Sequence, residues 1–484
     1  MGSTMPENRM KARVDVKHPN LVMLGLYLGA FLGMLSETSM NIALPDLKET
    51  FQVSASTAQW LVVGYMLVIG IVLPFTSLLL KWIPAKPMVL FALTAFFIGS
   101  LISGFAPASS FAILLIGRMI QGISTGLVLP MMFAVILEVF PLNKIGFAMG
   151  TATLVVMFAP AIGPTLAGAF IGALSWRWIF FFFALVALVA IVAAAIWMVN
   201  PYTLLRPKID GLSCLTSILG FGGIVLGISL ISEPGMMAGA IIALVVGIVA
   251  VAFYSYRQLH MTNPVIDLHA LGIKQFTVGT IIVMMNFSIT LAAMYLMPQE
   301  LQQGLGIKAA VAGLIMLPGG VVNALMSLFA GRLYDSIGPK LLVRIGLVLS
   351  MVGLIMLFMV GPDTSIAFVI AAHIILMLGI PTTMSPAQSS ALAALPQELS
   401  TDGSTILNTL QQVVGAVVTA VATILLSTGQ QHALGGNGSN HAQAFVAGSR
   451  YGFVFAFVLA VIAMIASFGI KQHAGEPDSK AEAK

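Results

Sequence analysis

The chain has 484 residues, of which 59% are hydrophobic and only 8% charged, with a formal net charge of +5 and a mean hydropathy of +1.02. Soluble domains carry about 25% charged residues, so this composition excludes a water-soluble fold and points to a polytopic membrane protein. The single cysteine, Cys214, excludes an intrachain disulfide and leaves the redox compartment open.

Residues 1–19 are polar and basic and read as a cytoplasmic tail. The first apolar run is a full span with no small-residue cleavage site after it, so no cleavable signal peptide is expected. Windows of about 19 residues predict roughly fourteen transmembrane helices, an all-α architecture. Six lie near 20–45, 58–80, 87–107, 110–139, 146–173 and 178–200 and form a first half, 20–200. A linker, 201–272, carries two more near 212–232 and 235–256. The last six, near 275–298, 309–330, 340–361, 366–390, 404–427 and 450–470, form a second half, 273–470, before a tail at 471–484.

An even number of spans puts both termini on one face. With that face in the cytoplasm, only Lys48, Arg177, Lys308 and Arg450 lie outside and Arg118 within a span; every other lysine and arginine is inside. This positive-inside asymmetry makes the basic pI of 9.3 a topology signal rather than a nucleic-acid footprint. The one sizeable outer connection, about 428–449, is rich in Gly, Asn and Gln and is expected to be a mobile loop. Its Asn437-Gly438-Ser439 sequon reads as a chance match.

One acid interrupts the first span, Glu37 in LYLGAFLGMLSETSMNIALP. A charged side chain at the bilayer centre costs roughly 2.5 kcal/mol or more, so this carboxyl is expected to bind a proton, a cation, or each in turn. Competition between a proton and a cationic substrate would couple outward substrate movement to inward proton movement. The structural alternative is a protonated carboxyl hydrogen-bonded between helices. Arg118 is the one basic residue deep in a span; it keeps its proton and needs an acceptor. It acts in function or ties helices together through carbonyls, since buried ions need partners either way.

Gly163-Pro164 is expected to break the ladder of the fifth span, with Ala159 and Pro160 adding irregularity. Twenty-nine methionines and 29 phenylalanines supply adaptable apolar surface for varied ligands. Met34, Asn41, Met284, Met285, Asn286, Tyr295 and Gln412 are candidates for a central substrate cavity, though packing accounts for any one of them as well. His373 is a weaker candidate for a second protonation site. No phosphate loop of the G-x-x-x-x-G-K-[ST] form and no Cys/His cluster occurs, so no enzyme, cofactor or metal is expected.

The chain also repeats. SLLLKWIPAK from Ser77 aligns with GRLYDSIGPK from Gly331, pairing Lys81 with Asp335, Pro84 with Gly338 and Lys86 with Lys340 at a constant offset of 254 (331 − 77). Repeated halves around a midplane site are a common transporter plan. GRLYDSIGPK, GRMIQG (Gly117 to Gly122) and the run Gly150, Ala159, Gly163, Pro164, Gly168 fall in this order with ETSMNIALP, QWLVVGYML, SWRWIFFF and RPKID.

Over nearly its whole length the chain thereby resembles the major facilitator superfamily, in its fourteen-helix drug:proton antiporter branch. The resemblance implies two six-helix halves with two extra helices between them. It also implies export of amphipathic, often cationic drugs in exchange for protons, by a multi-pass protein of the bacterial inner membrane that functions as a monomer. By the resemblance, Glu37 and Arg118 serve proton coupling, with Gln121 and Gly122 supporting the packing. Gly331, Arg332, Asp335, Gly338 and Lys340 would form a cytoplasmic gate. Lys81 departs from the family's usual aspartate, as Ser77 and Pro84 do from its glycines, which puts the first-half gate contacts in question; a pairing of Lys81 with Glu138 is one alternative. The expected partners are protons, small amphipathic or cationic substrates and membrane lipids, with no nucleic acid. The rivals are a carrier of one metabolite, peptide or lipid-like compound on the same fold and a non-transporting membrane sensor.

Overall fold

The structure is a computed structural model that describes residues 18–140, 145–201, 210–231, 235–261, 264, 266–396, 399–436 and 440–470. Among these, fourteen long α-helices follow one another and no strand occurs. The first six are α1 (Pro19–Phe51), α2 (Ala55–Trp82), α3 (Ala85–Gly104), α4 (Phe111–Val139), α5 (Ile145–Ala173) and α6 (Arg177–Trp197). A hairpin follows, α7 (Gly211–Leu230) and α8 (Met237–His260). The last six are α9 (Lys274–Gln299), α10 (Ala309–Ile337), α11 (Pro339–Phe358), α12 (Ile366–Ala393), α13 (Ser400–Gly436) and α14 (His441–Ser467). A π-helical turn, Glu300–Gly304, prolongs α9.

Thirteen of these helices are long and apolar enough to cross a membrane, and α5 brings the number to fourteen when its two limbs count as one span. With no water in the hydrocarbon, each backbone amide must be satisfied within its own helix, and exposed Leu185, Ile242 and Ile465 present the apolar surface that lipid tails cover.

Local chemistry starts the helices. The Ser54 and Ser365 side chains accept from Thr57 N and Phe368 N at the heads of α2 and α12, and Asn440 with Gln443 makes a capping box for α14. Gly338 joins α10 to α11 at φ +81°, a left-handed conformation that glycine adopts without steric cost.

The pairings α3–α4, α2–α4, α3–α6, α1–α6 and α1–α4 recur eight helices later as α11–α12, α10–α12, α11–α14, α9–α14 and α9–α12. The halves meet along α5–α10 and α2–α13, which the same repeat interchanges. The α7–α8 hairpin packs on α2 and α13, flanking that seam. Asp210 at its base is bonded by Arg257 at 3.0 Å; Arg257 and the Ser213 hydroxyl hold this carboxyl below the usual carboxylate range.

We call the face bearing the start of α1 and the end of α14 the terminal face. At the opposite face the halves are joined directly. Thr165 Oγ1 on α5 donates to Gly313 O on α10 at 2.8 Å, and Gln302 Nε2 donates to Ile42 O on α1 at 3.1 Å. A Cβ on Gly168 would lie 2.5 Å from Ala309 O, so glycine is what lets these backbones approach.

Three segments differ from the sequence reading. The stretch expected to be a mobile loop at 428–449 is largely helical, because α13 runs to Gly436 and α14 starts at His441; Asn437, Gly438 and Ser439 lie outside the described residues. Glycine and glutamine tolerate helix where neighbours pack on it, here Tyr451 against Gly429. Helix α1 continues through Pro45 to Phe51 rather than ending near 45. Helix α5 is bent as expected, but by 41° between its limbs Leu154–Pro160 and Ile162–Ala173 rather than at Gly163-Pro164 itself. Proline at 164 lacks the amide that would bond the carbonyl of residue 160 and clashes with it, so the bend falls one turn earlier.

Candidate functional site

In the first half, α1, α2, α3 and α4 converge on a polar cluster inside apolar walls. Glu37 is 3% exposed and Arg118 fully buried. Arg118 Nε donates to Leu61 O at 3.1 Å, Nη1 donates to Gln121 Oε1 at 2.8 Å and to Ser36 Oγ, and the guanidinium lies 4.0 Å over the Tyr65 ring. Gln121 Nε2 in turn donates to Ser100 Oγ at 2.8 Å. The Tyr65 hydroxyl donates to Gly33 O at 2.9 Å and shares a 2.7 Å hydrogen bond with Thr125 Oγ1. Close helix approach makes this possible: a Cβ on Gly33 would meet Thr125, and one on Gly122 would lie 2.9 Å from Tyr65 O. Arg118 thus has its acceptors in a carbonyl, a hydroxyl and an amide, and its positive charge rests on an aromatic face.

The carboxylate is treated differently. Glu37 and Arg118 act on one another electrostatically, yet no ion pair joins them among the described residues. Glu37 Oε2 and Arg118 Nη2 each lack a hydrogen-bond partner there. A buried carboxyl oxygen without a donor is costly in a low dielectric. It is a position where a proton or the cationic group of a ligand gains most from binding.

Helix α5 closes over this position. Ser39 Oγ donates to Gly163 O at 3.2 Å, and a Cβ on Gly163 would strike Thr38, the residue after Glu37. Gly163 therefore sits against α1, while Pro164 and Gly168 face α10; Gly150 lies nearer the terminal end of the same helix.

The remaining candidates are dispersed. Met34 packs at the edge of the apolar core and Asn41 is buried with Oδ1 unpartnered among the described residues. In the second half, Asn286 Nδ2 donates to Ile380 O at 3.0 Å, and Tyr295 OH accepts from Thr423 Oγ1 at 2.6 Å. Met284 is buried and Met285 half-buried, and Gln412 backs Gly70 across the seam. Arg118 and Gln121 share a hydrogen bond beside Glu37, and no hydrogen bond among the described residues links Asn286, Tyr295 or Gln412 to them. His373 is buried on α12 against Gly319, away from the cluster.

Two clefts open at the opposite face. One, of about 410 Å³, is lined by Pro45, Lys48, Gln302, Gln303, Gln430 and His441 among others. The other, narrower and beside it, reaches Tyr295 and Gln299. Of the residues expected to line a central cavity, Tyr295 is the one that borders these clefts.

At the terminal face, Gly331 stands in open space near the end of α10, and Lys340 is half-buried in the first turn of α11. The side chains of Lys81, Arg332 and Asp335 lie outside the described residues; Glu138, offered as a partner for Lys81, is exposed.

Sequence reasoning missed Ser36, Tyr65, Ser100 and Thr125, whose hydroxyls knit the cluster. Their signal is weak, since each is an ordinary residue in a span and only the crossing of helices gives it a partner. It also missed Glu300, because PQELQQG reads as the polar end of a span, whereas the π-helical turn keeps this acid buried.

Residues 26–419 match the family model for the Major Facilitator Superfamily. The lincomycin resistance protein LmrB of Bacillus subtilis (strain 168) is 41% identical over 93% of this chain and 95% of its own length. Its namesake in Listeria monocytogenes is 40% identical over 94% and 97%. The multidrug export protein EmrB of Escherichia coli (strain K12) is 25% identical over 84% and 80%. Among solved structures, a bacterial homologue of the human lysosomal transporter Spinster, inward-facing, aligns with a TM-score of 0.68 at 15% identity, covering 94% of this chain and 98% of that one. A D-xylose–proton symporter aligns at 0.67 and 16%, covering 94% and 99%. With fourteen apolar helices arranged as repeated halves and a family match over most of its length, the chain belongs to the Major Facilitator Superfamily of membrane transporters.

Proposed function

We propose that the protein is a proton-coupled antiporter that exports amphipathic, often cationic drugs from the cytoplasm. The observation that carries this reading is the Glu37 carboxyl, buried mid-span with a free oxygen, beside an arginine whose hydrogen bonds go elsewhere. Were Glu37 locked onto Arg118, the pair would be a static tie. Left apart, the carboxyl can hold a proton in one state and give it up to a cationic substrate in the other. Arg118 keeps the local field favourable to release. The same competition makes exchange obligatory, since one buried carboxyl cannot hold both ligands at once.

The relatives support the drug-efflux side of the reading, as two are named for lincomycin resistance and a third for multidrug export. Because the more similar ones carry the name of a single antibiotic, lincomycin belongs first in any substrate panel. We place both termini in the cytoplasm, from the basic residues, and take the monomer as the working unit. The cross-half bonds at the opposite face then fit a carrier held shut between its halves on the outer side, with rocking of the halves about α5–α10 and α2–α13 as the transport step.

The test is efflux from proteoliposomes under an imposed pH gradient, with lincomycin and an ethidium-like dye as probes. Wild type is expected to export against the gradient of substrate, and Glu37→Gln to lose the gradient-driven part while remaining folded. Equal transport by both proteins would remove Glu37 from the coupling.

A further inference from the structure

A second acid lies inside the helical core, and the coupling scheme above does not use it. Glu300 is 3% exposed and opens the π-helical turn that prolongs α9. Its backbone carbonyl accepts from Leu305 N at 2.9 Å. Wide turns of this kind are rare and frequently mark functional sites. Its Oε1 has no hydrogen-bond partner among the described residues, and neither has Nε of Arg450 on α14. Arg450 is the cation that acts on Glu300, yet no ion pair joins them. Instead Arg450 Nη2 donates to Val360 O at 3.2 Å, just past the end of α11.

The turn packs on α9, α10 and α14. The other charged or titratable groups on that side are Tyr295 on α9, Lys308 at the head of α10, His441 and Tyr451 on α14, Asp363 just after Val360, His432 on α13, Arg177 at the head of α6, and Asp46, Lys48 and Glu49 near the end of α1. Two residues after Glu300, Gln302 reaches from the same turn to Ile42 O on α1 and bonds the two halves. The Arg450 guanidinium also lies 5.6 Å over the Phe358 ring, so Glu300 stands between an arginine whose Nε alone is unpartnered and the hydrogen bond that joins the halves at the opposite face.

We infer that Glu300 is a second proton-binding site, whose charge state sets whether the opposite face is open. Ionised, the carboxylate is drawn to the free Arg450 Nε, the turn moves toward α14, and Gln302 leaves Ile42. Protonated, it loses that attraction and the turn stays where Gln302 can bond Ile42 O on α1. A proton arriving from the opposite face would then close that face behind it, the step an exchanger needs in order to return inward without substrate. The inference rests on the antiport reading only for this last role; the latch itself does not depend on it.

The experiment measures spin-label distances across the opposite face in full-length Cys214→Ser protein in nanodiscs, labelled at Gln52→Cys on the first half and Gln431→Cys on the second. Wild type is expected to gain a longer-distance population as pH rises, by up to about tenfold per pH unit for a one-proton switch. Glu300→Gln should hold the short distance at every pH, Glu300→Asp should restore the response, and Arg450→Gln should abolish it. A pH response that survives in Glu300→Gln overturns the inference, as does one that survives in Arg450→Gln, which also decides the matter should Glu300→Gln fail to fold. Glu37→Gln separates the two readings. An intact distance response alongside gradient-driven efflux that Glu37→Gln leaves unchanged would refute proton coupling at Glu37 and leave the latch standing. Glu37-dependent efflux with no distance response would do the reverse.

Discussion

The two halves share one helix arrangement and hold different chemistry within it. In the first, Arg118, Gln121, Ser36, Ser100, Tyr65 and Thr125 form a connected buried network beside Glu37. At the corresponding depth in the second, neutral groups make isolated bonds, Asn286 to a carbonyl and Tyr295 to Thr423, and His373 rests against a glycine. Its buried acid, Glu300, and the arginine near it, Arg450, lie instead toward the opposite face. A repeat thus constrains backbone packing, which both halves need equally, but not the placement of charge. Charge is costly in hydrocarbon and is kept only where it acts.

The largest effect should come from cutting the network at its centre. Arg118→Gln removes the side-chain donor to the Leu61 carbonyl and the cation over Tyr65, and breaking a buried charged network costs about 3–5 kcal/mol. We expect a marked fall in thermal stability together with loss of efflux. Glu37→Gln should contrast with it: transport is lost, but thermal stability is unchanged or higher, because a carboxyl with an unpartnered oxygen is removed rather than a tie. Equal destabilisation by both variants would mean that Glu37 is part of the scaffold.

The seam between the halves comes next. A side chain at Gly168 would press on Ala309 O, and one at Gly313 would lie 2.7 Å from Pro164 O. Overpacking of this sort costs about 1–3 kcal/mol, so Gly168→Val or Gly313→Val should part α5 from α10 and raise passive leak of a proton-gradient dye. An intact gradient in both would show that the seam yields without opening.

Second-half polar residues should matter less. His373→Gln is expected to leave the pH profile of efflux in place, and a shifted profile would restore His373 as a proton site.

The smallest change lies outside both halves, at Asp210→Asn. Since Arg257 and Ser213 hold this carboxyl low, its stabilising contribution is present at neutral pH and disappears only as pH falls through that lowered value. The variant should therefore melt slightly below wild type near neutrality and together with it in strong acid.

Much of this was legible in the chain itself. Glu37 and Arg118 stand out because a charge in an apolar run has no innocent composition, and GRLYDSIGPK betrays the repeat because turns between spans tolerate few residues. The loop expected at 428–449 failed for the opposite reason: polar composition describes solvent contact, and helix α13 simply continues into it. Tyr65 and Ser36 were silent, since a hydroxyl in a span acquires meaning from the helix it meets. Glu300 was hidden by its neighbours Gln299, Gln302 and Gln303, which make a buried turn look like a loop.

Hydropathy period and length determined the number of helices, and residue type determined which side chains are expensive to bury, both being properties of single segments in a solvent of fixed thickness. Which expensive group meets which was decided only by the tertiary structure. That depends on where glycines let α1, α4, α5 and α10 touch, and a displacement of one helical turn, about 5.4 Å, would have joined Glu37 to a different partner or to none.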